Sequence, residues 1–162
     1  MTTPDLDAQT SRLRFLLETV TLESAHLRTT DRRLFLVPFT ADRAKALRTD
    51  DDLSERLDAF VARFSRLQDT AGDKLLPALL VRVGEPVGSA LDNLDRAARL
   101  GLLAEGSEVW LAARALRNRM VHEYIRQPEA LAEAVTAAHE AVPMLVAFTE
   151  RCSQYARERR LI

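Results

Sequence analysis

The sequence predicts an all-α protein, an up-and-down bundle of about five main helices. Three observations point there. Apolar residues recur at three- and four-residue steps along most of the chain. No stretch sustains the alternation of a half-buried strand, and no glycine-rich nucleotide loop occurs. The breaks between periodic stretches carry helix-start and helix-stop residues.

The first stretch is 5–28, where Leu6, Leu13, Leu16, Leu17, Val20 and Leu27 form a stripe and Asp5 caps the start after Pro4. His26 is expected near the far end, meeting the last carbonyls of the helix. Leu34 to Val37 form a short apolar run before Pro38, read as a short helix or packed connector because a lone strand would lack a partner. Thr40 can cap a second short helix, 41–47. Asp50, Asp51 and Asp52 suit the positive end of the helix that follows, and no other ligand type stands near them to make a metal site. That helix carries Leu53, Leu57, Phe60, Val61, Phe64 and Leu67, and Leu75, Leu76, Leu79 and Leu80 continue its face. At roughly 1.5 Å per residue it reaches roughly 45 Å, with a kink expected near Gly72 and Pro77.

Gly84 and Pro86 mark a turn. The stretch 87–103 is expected to be a helix with Val87, Leu91, Leu94 and Leu100 inward. Gly101 to Gly106 connects it to a helix opened by Ser107 and Glu108 and closed by Gln127 and Pro128. The last helix starts at Pro128 and runs through Leu131, Val135, Ala138, Val142, Leu145 and Phe148 toward Tyr155, with Pro143 inside it.

The length, 162 residues, suits one domain spanning 1–162, with 1–52 as its N-terminal part, and 47% apolar residues are enough to bury a core. The net charge of −1 offers no global attraction for nucleic acid. Positive charge is almost all Arg, with Lys only at 45 and 74; such bias arises from a GC-rich genome or from a need for bidentate phosphate contacts. Cys152, the single cysteine, excludes an internal disulfide and a multi-cysteine metal site, so a reducing cytoplasm is the expected location. The N-terminus lacks the apolar core of a signal peptide, and the longest nearly uncharged apolar run, Leu75 to Val81, is far too short for a membrane span.

The chemistry gathers in WLAARALRNRMVHEY, Trp110 to Tyr124. Trp110, Leu111, Ala115 and Leu116 are expected to face the core. Arg114, Arg117 and Arg119 then crowd together, as cations do in the last turns of a helix. That ordinary reading leaves His122 and Tyr124 unexplained. Asn118 and His122 are four positions apart and share a helical face, whereas Arg117 and His122 are five apart and so about 140° apart on a straight helix. Either the helix ends near His122, or two copies of the stretch complete one site across a two-fold axis. Asp69 and Asp73, four apart, are candidate counter-charges for the basic stretch.

Arg117, His122 and Tyr124, with four residues and then one between them, resemble the signature of the HepT-like branch of the HEPN domains. Asn118 fits the wider HEPN pattern. RLQD at 66–69, GDKLLP at 72–77, and GLL at 101–103 followed by Trp110 are similar to that branch as well, so the resemblance spans Leu53 to the end. It implies a HEPN-like helical homodimer that acts as a metal-independent endoribonuclease without a cofactor, the toxin of a type VII-like toxin–antitoxin pair. The implied antitoxin is an MNT-type nucleotidyltransferase that transfers AMP to Tyr124.

The residues suit that chemistry. A histidine with an ordinary pKa of about 6.5 can move a proton at the 2′-hydroxyl or the leaving 5′-oxygen of RNA, and His122 is the candidate. Arg117 offers a planar fork to the charge developing on phosphorus. Asn118 can orient His122 or contact phosphate, and Tyr124 can bond to substrate or stack on a base. Transfer RNA and messenger RNA are both open as substrates. The alternative is a non-enzymatic helical partner that binds substrate for a nucleotidyltransferase. His139 among alanines, Cys152, and the basic end Arg151, Arg157, Arg159 and Arg160 are read as helix-packing or solvated residues.

Overall fold

The computed structural model describes residues 3–122 and 127–162, and the side chains of all of these except Thr3, Pro4 and His122. The architecture is an all-α bundle; among the described residues there is no strand. Its helices are α1 (Thr3–Leu34), α2 (Ala41–Ala46), α3 (Asp51–Gln68), α4 (Leu76–Arg82), α5 (Ala90–Arg99), α6 (Ser107–His122) and α7 (Pro128–Glu158). A π-helical segment, Asp69–Leu75, joins α3 to α4 without a break, so the two form one rod.

The starts follow the capping residues. Thr40 Oγ1 accepts from the amide of Arg43 and opens α2. Asp50 accepts from the amide of Leu53 and opens α3, where Asp51 and Asp52 sit in the first turn. Gly84 takes a positive φ in the turn after α4, a conformation that only glycine adopts without cost.

Four expectations need correction. The first helix does not stop at 28 but runs to Leu34, where Thr30 is buried and bonded to Arg63 of α3 and Asp31 meets His139 of α7 at 2.6 Å. His26 is therefore eight residues short of the helix end and cannot meet its last carbonyls; its own carbonyl accepts from Arg63. The fifth helix begins at Ala90 rather than 87, fixed by a capping box between Ser89 and Asp92. Val87 and Leu91, expected inside, are 47% and 48% exposed, whereas Leu102 and Leu103 of the connector are buried. Where a kink was expected near Gly72 and Pro77, the rod carries a π turn, Asp69–Leu75, and stays helical through Pro77.

The core runs from Leu13 to Leu161, with Phe60, Phe64, Trp110 and Phe148 as its largest side chains. α7 has an 18-residue window apolar enough to cross a membrane by length and composition. It was not visible as an uncharged run because Glu133 and Glu140 interrupt it. With 56% of that window buried against the bundle, and α1, α2, α3 and α6 packed on it, α7 is a core helix here. His139 on α7 packs as expected of a helix-packing residue: Nδ1 lies 2.6 Å from Asp31 Oδ1, and the ring stacks on Phe35. Cys152 is fully buried, and burial pushes its thiol above the ordinary range, which keeps it inert.

Candidate active site

α6 buries Trp110, Ala113 and Met120, at three- and seven-residue steps that define its inner face. Leu111 and Leu116 pack partly against the core, while Ala115, expected to join them, is exposed. Arg117 falls on the inner stripe between Ala113 and Met120, where an apolar residue would be the ordinary choice. It is tolerated because a cleft opens at that level between α6, α3 and the π segment.

Across this cleft the π segment supplies the counter-charges. Arg117 Nη1 donates to both oxygens of Asp69, at 3.1 and 3.3 Å. Arg114 donates to both oxygens of Asp73, at 3.0 and 3.4 Å. The sequence expectation that Asp69 and Asp73 balance the basic stretch therefore holds. The pairing is antiparallel, with four residues of π segment matched to three of α6. Gly72 lies between the two aspartates, and a Cβ there would meet the Trp110 ring at 3.0 Å, so glycine lets α6 approach closely enough for both pairs to form. The Arg117 and Asp69 side chains are 45% and 41% exposed, which limits the pair to under about 1 kcal/mol and leaves Arg117 exchangeable onto another anion.

Asn118 is exposed on the neighbouring face of α6, and Arg119 reaches Glu133 of α7 at 4.0 Å. His122 is the last residue of α6. Because the helix is continuous from Arg117, the two positions stand about 140° apart around its axis. The His122 side chain and the whole of Tyr124 lie outside the described residues.

The cleft has a volume of about 910 Å³, within the range of ligand sites. Arg66 and Lys74 line it together with Asp58, Asp69, Thr70 and Arg117. Thr70 donates to Glu23 of α1 at 3.1 Å. Burial raises the Glu23 carboxyl above its ordinary pKa, against the opposing pull of the Thr70 hydroxyl and the charges of Arg66 and Lys74. Arg66, Thr70 and Glu23 had no place in the sequence reading of the site. The available signal was the polar recurrence of Arg66, Asp69, Thr70, Asp73 and Lys74 at three- and four-residue steps, opposite an apolar stripe. Comparison of the chain with protein-family models, with curated proteins and with solved structures gives no match.

Proposed function

We propose that this chain is a metal-independent endoribonuclease, the toxin of a type VII-like toxin–antitoxin pair, acting in the cytoplasm as a homodimer. Arg117 carries the reading: a guanidinium on the inner face of α6, opening into a cleft and held, among the described residues, by an exchangeable carboxylate. Such a group is ready to trade Asp69 for a phosphodiester. In the reaction the 2′-oxygen attacks phosphorus while its proton passes to a base. The bond to the 5′-oxygen breaks, and that oxygen takes up a proton. His122 moves these protons, and Arg117 stabilises the charge on the non-bridging oxygens. The products are a 2′,3′-cyclic phosphate and a 5′-hydroxyl.

The angle between Arg117 and His122 on one helix supports a site completed by two copies of the motif. Val121, 56% exposed at the lip of the cleft, suits a surface that a second copy covers. Asn118 and Tyr124 support the site by contacting substrate. Incubated with cellular RNA and EDTA, the purified protein is expected to cut and leave cyclic-phosphate ends. No cutting by protein shown by mass to carry unmodified Tyr124 would overturn the assignment.

Regulation follows from Tyr124. AMP transfer by an MNT-type nucleotidyltransferase antitoxin sets a negative phosphodiester near Arg117, which occupies the phosphate position and repels RNA. Mass spectrometry after co-expression with the antitoxin is expected to show one AMP on Tyr124. Suppressed activity with Tyr124 unmodified would remove this mechanism.

A further inference from the structure

The cleft holds three cations, Arg66, Lys74 and Arg117, against two carboxylates, Asp58 and Asp69, and Asp69 is already paired with Arg117. Arg66 and Lys74 line it on the α3 side and the π segment, and both are exposed. Among the described residues neither makes a hydrogen bond or a close ion pair; the charges of both bear on the Glu23 carboxyl, which accepts from Thr70. Asp69, and with it Arg117, falls between them, three residues after Arg66 and five before Lys74. Along the rod this orders the three cations as Arg66, Arg117 and Lys74, with Arg117 about one helical turn from the level of each neighbour.

We infer that the cleft is a track for single-stranded RNA in which Arg66 and Lys74 bind the phosphates on either side of the one that Arg117 takes. This deepens the ribonuclease reading and rests on it for the identity of the strand. A volume of about 910 Å³ admits a few nucleotides of one strand, not the broad surface on which duplex RNA is recognised. Val61, half-buried, and Ala62, exposed, give the same cleft apolar surface for base faces. The chain has a net charge of −1, so attraction for a polyanion must come from a local array such as this one.

The test uses the intact protein and a short 2′-O-methylated oligoribonucleotide, which keeps the phosphates and lacks the attacking hydroxyl. Affinity is measured by fluorescence anisotropy across a salt series. Each single-strand phosphate contact contributes about 0.7 to the slope of log affinity against log salt, so Arg66→Gln with Lys74→Gln is expected to lower the slope by about 1.4, and each single change by about half of that. Arg99→Gln, on α5 away from the cleft, is expected to leave it unchanged. An unaltered slope in the double variant, an equal loss from Arg99→Gln, or no binding by wild type overturns the track. Cleavage of the unmethylated strand separates the two ideas. Cutting with an unaltered slope removes the track and keeps the ribonuclease; a lowered slope without cutting does the reverse.

Discussion

His122→Ala is expected to slow RNA cleavage about 10²–10⁴-fold, the usual worth of a general acid–base group. Arg117→Ala is expected to cost about 10²–10³-fold through lost charge stabilisation. Neither change should unfold the protein. Arg117 contributes an exposed pair worth under about 1 kcal/mol, and in a chain of this size about 1 kcal/mol moves the melting temperature by about 2–4 °C. The double variant is expected to be no slower than the worse single one, because groups that act in one step do not add. Single-turnover cleavage beside a thermal melt measures both effects. A binding subunit for a nucleotidyltransferase would behave differently: His122→Ala would be tolerated and partner affinity kept. Full activity in His122→Ala would remove the histidine from the mechanism.

The helices were legible wherever the local signal was also the deciding one. Thr40 and Asp50 cap the helices that follow them because each needs only its own side chain and an amide three residues on. The counter-charge role of Asp69 and Asp73 was legible for a similar reason, since four-residue spacing puts both on one face. What failed depended on distant partners. Thr29, Thr30 and Asp31 look like the end of a helix, yet α1 continues because Thr30 and Asp31 find partners on α3 and α7. Val87 and Leu91 read as core by hydrophobicity alone, but the Ser89 cap starts the helix after Val87 and turns Leu91 outward. The close approach of Trp110 to Gly72 was hidden because it joins two segments far apart in sequence. The cations of the cleft, Arg66 and Lys74, looked like ordinary surface residues until the fold set them beside Arg117.

Trp110→Ala is expected to destabilise the protein by about 3–5 kcal/mol, the range for removing a large aromatic from a core. At about 2–4 °C per kcal/mol the melting temperature falls by roughly 6–20 °C. Trp110 is 1% exposed, stands edge-on to Phe148 of α7 with ring centroids 4.9 Å apart, and covers Gly72 of the π segment. It is thus the joint at which the rod, α6 and α7 meet, four and seven residues before Arg114 and Arg117. The site depends on that joint. A hole beneath α6 lets the helix shift against the π segment, and a shift of about 1 Å at a catalytic group can cost about 100-fold in rate. Trp110→Ala is therefore expected to lose cleavage even at temperatures where it remains folded, while Trp110→Phe, which keeps a ring against Phe148, loses less of both. Gly72→Ala approaches the same contact from the other side, forcing a Cβ toward the ring at an overpacking cost of about 1–3 kcal/mol. If Trp110→Ala melted within about 2 °C of wild type, α6 would not be held by this joint, and the placement of Arg117 opposite Asp69 would need another cause.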